Sequence, residues 1–269
     1  MNGALVDEAE ARVSPFDHGL LTGDGVFETL RVARFRPFAP RRHLERLARS
    51  SAGLRLPCPP AEMMLAAMDE VIRANGVEEG RLRITVTGGP SALGSDRGPG
   101  GPTVIVAAGL LPAWPPVADV VVVPWPRNER GALAGLKTIS YGENVVALAH
   151  ARDHGAGEAL FGNLAGNLCE GTGTNVFVGI DGRLITPPLS AGCLAGVTRA
   201  LLLELVDVVV DDLPLDAIRS ADEAFLTSST RDIQPIRSVD GRGLASCPGP
   251  LTKYAAAAFQ ALLLRDLDP

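Results

Sequence analysis

The sequence predicts a two-domain protein of the α+β class, and three observations lead to this prediction. Segments with helix periodicity and segments with strand alternation are mixed along the chain. The 269 residues suffice for one large or two medium domains, each with a real core. Three prolines between Leu111 and Pro116 stop regular structure. We therefore predict a small α+β domain over residues 1–110, a linker over 111–117 and a larger domain over 118–269.

The first domain begins with a glycine-rich turn that becomes a strand. This stretch, Val13 to Val32, contains Gly19, Gly23 and Gly25, which indicate tight turns or close backbone approach. The later elements are predicted helices over Arg41–Gly53 and Pro60–Asn75, strands over Arg81–Thr87 and Thr103–Ala108, and a loop over Gly88–Pro102.

The larger domain is organised around the stretch from Leu168 to Arg199. Glu170 opens it, and the turn Asp181-Gly182 separates two predicted strands, Asn175–Ile180 and Arg183–Thr186. A glycine turn then leads into an apolar helix over Ala200–Leu205. Because the first N–H groups of a helix lack internal partners, this turn is suited to bind an anion such as phosphate. The other elements predicted in this domain are strands over Val117–Trp125, Glu158–Gly162, Val206–Leu213 and Glu223–Ser229, and helices over Asn144–His154 and Leu251–Leu267.

Lysine is rare in this chain, so few residues could bind an aldehyde covalently. Of the 25 basic residues only Lys137 and Lys253 are lysines. Lys253 falls on the predicted C-terminal helix, whereas Lys137 follows an apolar run of small residues, Gly131 to Leu136. Apolar surroundings favour the neutral, nucleophilic form of an amine. Lys137 is the predicted nucleophile.

Composition excludes several classes of function. The net charge of −6 gives no indication of nucleic acid or anionic membrane partners. The N-terminal residues lack the pattern of a signal peptide, and no apolar run is long enough to span a bilayer. The four cysteines are scattered, with no metal-ligand spacing, so we expect reduced thiols, a cytoplasmic location and no metal site.

The order of motifs from Glu170 to Arg199 resembles the signature of the class IV aminotransferases, the fold-type IV enzymes that use pyridoxal phosphate. It reads E-x-T-x-x-N-V-F, a hairpin, L-x-T and then L-x-G-V-T-R. Two earlier blocks also resemble this family: D-x-G-x-x-x-G-D-G-x-F-E from Asp17 to Glu28, and H-L-x-R-L from His43 to Leu47. The resemblance implies a fold-type IV enzyme with a β-barrel-like larger domain flanked by helices, working as a homodimer on a small amino substrate.

The resemblance also implies roles for individual residues. Lys137 would bind the cofactor covalently, and Glu170 would sit at the ring nitrogen. The phosphate would be held by Val197, Thr198, Arg46, Ser229 and the adjacent Thr230. Tyr141 would meet the phenolic oxygen, and Phe27 and Arg83 would lie near the substrate.

Several of these residues have an alternative role. Without the resemblance, Arg46 and Arg83 could be surface residues, Phe27 a core residue, Tyr141 a packing residue and Ser229 part of a hydroxyl-rich turn.

The reaction is open between two kinds of enzyme within this family. The approach to the lysine, Arg127-Asn128 followed by Leu133-Ala-Gly-Leu-Lys137, resembles that of the aminodeoxychorismate lyases, with a longer spacing here. We therefore expect conversion of 4-amino-4-deoxychorismate to 4-aminobenzoate and pyruvate. The alternative is an aminotransferase acting on branched-chain or D-amino acids.

Overall fold

The computed structural model describes residues 1–111 and 113–269. It contains six α-helices in chain order: α1 (His18–Thr22), α2 (Pro40–Gly53), α3 (Ala61–Ala74), α4 (Gly142–Asp153), α5 (Val197–Leu205) and α6 (Pro250–Arg265). Its strands are β1 (Gly25–Ala33), β2 (Arg36–Pro37), β3 (Gly80–Thr87), β4 (Thr103–Gly109), β5 (Ala118–Val122), β6 (Glu158–Gly162), β7 (Leu168–Gly171), β8 (Asn175–Ile180), β9 (Arg183–Thr186), β10 (Val209–Val210), β11 (Glu223–Ser228), β12 (Asp232–Val239) and β13 (Arg242–Gly243).

The described residues form two units. The first comprises the residues before Ala113 together with Leu136–Tyr141 and Asp266–Pro269. The second comprises Ala113–Gly135 and Gly142–Arg265. The six residues from Leu136 to Tyr141 therefore pack with the first unit, although the residues before and after them in the chain belong to the second. Pro112, inside the predicted linker, lies outside the described residues.

The first unit is an antiparallel sheet with helices on one face. The strand order is β2-β1-β3-β4. Apolar side chains that alternate along β1 and β3, such as Leu30 and Ile84, are fully buried against Leu47 of α2 and Met68 of α3. This alternation matches the pleat of a sheet with one face covered.

The second unit is a mixed sheet in the order β10-β9-β8-β11-β12-β5-β6-β7, with β13 paired to β12. β5 and β6 are parallel, and α4 lies in their crossover connection. β7 and β8 are separated in the sheet by β11, β12, β5 and β6, yet a turn of three residues joins them in the chain. The sheet must therefore curl back on itself, and the expected α+β fold with a barrel-like larger domain is confirmed.

Local signals located most elements, and two strands are shorter than predicted. The strands at Glu158–Gly162, Asn175–Ile180 and Arg183–Thr186 match the prediction. The strand predicted over Val206–Leu213 is only Val209–Val210, because its partner β9 ends at Thr186 before two prolines. The strand predicted over Val117–Trp125 is only Ala118–Val122, since its pairing with β6 ends at Val122.

Among the described residues no helix is both long and apolar enough to cross a membrane.

Candidate active site

The segment that carries Lys137 is fixed by backbone pairing with the start of β1. Val26 and Thr138 form an antiparallel bridge, in which Phe27 N–H donates to the Lys137 carbonyl (3.0 Å) and Ile139 N–H donates to the Gly25 carbonyl (2.9 Å). The Lys137 N–H donates to Ser50 Oγ of α2 (3.1 Å). A Cβ on Gly25 would lie 2.7 Å from the Val86 carbonyl oxygen and 2.8 Å from Ile139 Cδ1. Glycine is therefore required for this close approach.

Three of the predicted side chains gather around the ring of Phe27. The Lys137 Nζ lies 4.3 Å from the ring centroid, and the Arg83 Cζ lies 3.8 Å from it. The Tyr141 ring meets the Phe27 ring edge to face, with centroids 5.1 Å apart. Phe27 itself is 5% exposed. It is therefore both a packed residue and the centre of this group, and Lys137 is half-buried at its edge.

Arg46 is part of a buried charge cluster on the helix-covered face of the same sheet. Its Nε donates to Glu28 Oε1 (2.8 Å) and its Nη2 donates to Glu28 Oε2 (2.6 Å). His43 Nδ1 lies 2.7 Å from Glu28 Oε2. Burial opposes ionisation of Glu28, but the Arg46 charge and the hydrogen bonds from Arg46 and His43 outweigh it and lower the carboxyl pKa to about 2. Arg46 is therefore not the solvated helix residue of the alternative interpretation.

Glu170 lies at the end of β7 in the second unit, and both carboxylate oxygens have polar neighbours. Its Oε2 accepts the Leu194 N–H (2.8 Å), and its Oε1 lies 3.3 Å from Arg127 Nε. Arg127 also donates to Glu143 and Asn144 at the start of α4 and stacks over Phe161. Sequence reasoning did not assign Arg127 to the site. Its place directly after an apolar strand was the available signal.

The N-terminus of α5 has the features of an anion site. Its N-cap, Gly196, makes no side-chain capping bond, so the first turn, with Val197 and Thr198, keeps N–H groups for a ligand. Asn175 of β8 supports this turn by donating to the Leu194 carbonyl (2.8 Å). A Cβ on Gly196 would lie 1.9 Å from Asn175 Oδ1, so only glycine fits here.

Ser229 and Thr230 follow β11 and lie in the turn that leads to β12. The preceding Thr227 pairs in register with Asn175, and α5 packs against β11. The hydroxyl of Thr227 is buried and has no partner within the described part of the chain. The second unit thus brings the hydroxyl turn, the start of α5 and Glu170 together through the segment from Leu194 to Gly196.

The residues present fit pyridoxal phosphate in their chemistry. The first unit supplies an amine with aromatic and cationic neighbours, whereas the other lysine, Lys253, is exposed on α6. The second unit supplies a carboxylate for a protonated ring nitrogen and an uncapped helix N-terminus with hydroxyl groups for phosphate. No cluster of three or more metal-ligating side chains occurs in residues 1–111 and 113–269.

The cysteines near Glu170 are packing residues. Cys169 and Cys193 belong to one buried cluster, and burial raises the pKa of both thiols, that of Cys193 to about 12. Such thiols stay protonated and inert at neutral pH.

Comparisons with known proteins identify the family. A family model described as amino-transferase class IV matches residues 25–239. The chain belongs to this family. Its members depend on pyridoxal phosphate, so the protein is a pyridoxal-phosphate-dependent enzyme, as the sequence predicts.

Individual relatives differ in activity. A putative branched-chain-amino-acid aminotransferase of Methanocaldococcus jannaschii is 35% identical, covering 97% of this chain and 94% of that protein. The aminodeoxychorismate lyase of Bacillus subtilis strain 168 is 30% identical, covering 99% of this chain and 94% of that protein. A solved T.th. branched-chain amino acid aminotransferase, complexed with N-(5'-phosphopyridoxyl)-L-glutamate, has a TM-score of 0.90 at 28% identity, covering 98% of this chain and 92% of that one.

We expect Glu28→Gln to destabilise the protein in a pH-dependent way. The Glu28 pKa is lowered from 4.5 to about 2, so the carboxylate contributes stability above about pH 4.5 that is lost as the pH falls towards about 2. This shift corresponds to roughly 3 kcal/mol. Urea unfolding should therefore give a large difference between wild type and variant at neutral pH, which shrinks on acidification.

The control for this experiment is Glu45→Gln, which changes an exposed carboxylate on α2, the helix that carries the Glu28 partners His43 and Arg46. It should alter the unfolding free energy little. A difference between wild type and Glu28→Gln that stays constant with pH would contradict the assignment.

Proposed function

We propose that the protein converts 4-amino-4-deoxychorismate to 4-aminobenzoate and pyruvate, a lyase step of folate synthesis. The observation that carries this proposal concerns Arg127. It begins the motif that resembles the lyases, and its guanidinium contacts Glu170 (Nε to Oε1, 3.3 Å). Arg127, which begins the lyase-like motif, is thus in contact with Glu170, the acid proposed to sit at the ring nitrogen. The lyase of Bacillus subtilis, similar over nearly the whole chain, adds support.

In this proposal each of the predicted residues has a role towards the cofactor. Lys137 binds the aldehyde, and Glu170 keeps the ring nitrogen protonated. Val197, Thr198, Ser229, Thr230 and Arg46 hold the phosphate. Tyr141 forms a hydrogen bond with the phenolic oxygen of the cofactor, and Phe27 and Arg83 line the side of the site that faces the substrate. Bound pyridoxal phosphate supplies a sink for the electron pair left when a proton leaves the substrate.

The chain's own residues then move the proton. The Lys137 amine, set free when the substrate's amino group takes its place on the aldehyde, removes the proton from the carbon that bears that amino group. The carbon–oxygen bond to the enolpyruvyl group breaks, and that group leaves, takes up a proton and becomes pyruvate. The ring becomes aromatic as 4-aminobenzoate. The two products together contain all the atoms of the substrate and no others, so the reaction requires no keto acid and no oxidant.

An aminotransferase is the second candidate. The observation in its favour is the higher identity, 35%, to a putative branched-chain-amino-acid aminotransferase. An aminotransferase would use the same lysine as base but would need a keto acid to accept the amino group.

Lys137→Ala should abolish covalent attachment of the cofactor. Because Lys253 is exposed on α6, Lys253→Ala should retain it. The measurement is the mass of the Lys137 peptide after pyridoxal phosphate binding and borohydride reduction. Modification of Lys253 with Lys137 untouched would overturn the assignment.

Product analysis separates the two candidate reactions. We expect the purified enzyme with 4-amino-4-deoxychorismate to release 4-aminobenzoate and pyruvate in equal amounts without a keto acid. L- and D-amino acids with 2-oxoglutarate or pyruvate serve as the parallel assay. Turnover confined to that second panel would reject the lyase and support the aminotransferase.

We further propose that the enzyme is a homodimer. The resemblance implies this assembly, and each unit exposes large apolar side chains, among them Leu20 of α1 (70% exposed) and Val145 of α4 (66% exposed). We choose Val145 to test this assembly.

Light scattering at micromolar concentration should give twice the mass of the chain, and Val145→Glu should shift the protein towards monomer. Ala66→Glu, on an exposed position of α3, is the control and should leave the mass unchanged. A wild-type monomer would reject the dimer.

A further inference from the structure

The turn that contains Ser229 and Thr230 closes a tight hairpin. Ser228 at the end of β11 pairs in register with Asp232 at the start of β12. Three residues, Ser229, Thr230 and Arg231, therefore form the whole turn. The Arg231 N–H donates to Ser228 Oγ (3.2 Å), which tightens the turn from within. Arg231 thus belongs to the same short turn as the two hydroxyl residues that precede it.

Arg231 is directed into the second unit rather than into solvent, since its side chain is only 8% exposed. Its Nη2 lies 2.8 Å from Glu158 Oε2, and its Nη1 donates to Gln234 Oε1 (2.9 Å). Its Cζ lies 3.9 Å from the centroid of the Trp114 ring. A planar guanidinium can contact a carboxylate with one nitrogen and an amide with another while it stacks on an aromatic ring, which an ammonium group cannot.

Glu158 connects this arginine to the turn that follows Glu170. Its side chain is fully buried at the start of β6. Its Oε1 accepts the N–H of Thr172 (3.1 Å) and the Thr172 hydroxyl. Its Oε2 accepts no hydrogen bond within the described residues and faces the Arg231 charge. Removing Arg231 would therefore leave a buried carboxylate without compensation, which is strongly unfavourable.

Arg231 also connects the hydroxyl turn to the segment before β5. Gln234, which accepts from Arg231, donates through Nε2 to the Pro115 carbonyl (2.7 Å). Trp114, on which Arg231 stacks, lies beside that proline in the chain. One side chain therefore contacts three parts of the second unit: β6, β12 and residues 114–115.

We propose that Arg231 is a positioning residue, which holds the Ser229–Thr230 turn in the shape that receives the cofactor phosphate and ties it through Glu158 to the Thr172 turn. The inference rests on the phosphate role proposed above for that turn. The Arg231 side chain is 8% exposed and its charge faces Glu158, so we assign it to the support of the turn and not to the phosphate itself.

The test compares two ligands that differ only in the phosphate, pyridoxamine 5'-phosphate and pyridoxamine. Neither carries an aldehyde, so Lys137 cannot attach either one covalently. We expect Arg231→Met to weaken pyridoxamine 5'-phosphate binding about tenfold or more, the effect of losing a charge-assisted hydrogen bond to phosphate. Pyridoxamine binding should change less than about twofold, which lies within the ordinary effect of a remote substitution. Calorimetric titration of protein freed of cofactor by dialysis measures both affinities.

Two further variants separate positioning from folding. Arg237→Met, on the strand β12 that follows the turn, removes an exposed arginine paired with Asp119 and should change neither affinity. The double variant Glu158→Gln with Arg231→Met leaves no unpaired buried charge. It should recover thermal stability relative to Arg231→Met while the weak phosphate affinity persists.

Equal loss of both ligands in Arg231→Met, or no loss of either, would overturn the inference while leaving the cofactor assignment intact. Recovery of phosphate affinity in the double variant would overturn it as well. A wild-type protein that bound neither ligand would instead reject the cofactor site on which the inference rests.

Discussion

The chemistry proposed for this enzyme depends on a short backbone pairing between the segment that carries Lys137 and the first residues of β1. The bridge between Val26 and Thr138 is small, but it fixes the peptide groups on both sides of the lysine. The lysine side chain therefore needs to order only its own rotatable bonds. Phe27, the next residue on β1, then provides the surface against which the amine lies. Gly25 makes this approach possible, since a Cβ there would meet the Val86 carbonyl.

Buried acid–arginine pairs recur in both units, each beside a proposed cofactor contact. Glu28 pairs with Arg46 in the first unit, and Glu158 pairs with Arg231 in the second. A buried ion pair contributes little net stability compared with apolar residues of the same shape, because desolvation opposes the attraction. What such a pair does supply is a defined geometry, since a forked guanidinium accepts few arrangements. That property suits turns that must present several donors to one phosphate.

Local signals in the sequence predicted the parts of the site that depend on local structure. The Asp181-Gly182 turn defines β8 and β9, and these were located correctly. The glycine before Val197 marks the start of α5, which begins three residues before the predicted start at Ala200. Lys137 stood out because the chain has a single other lysine. Contacts between distant segments carry no such signal. Nothing local indicates that Leu136–Tyr141 packs with the first unit, that Glu28 pairs with Arg46, or that Arg127 reaches Glu170.

The membership of Leu136–Tyr141 in the first unit has a consequence for the chain as a whole. A gene fragment ending at the proline-rich segment would encode the four-stranded sheet without its nucleophile, and the complementary fragment would carry the lysine away from the strand that orders it. Neither fragment alone would hold Lys137 against the start of β1. A cut between the two segments would separate the proposed nucleophile from the strand that fixes its backbone.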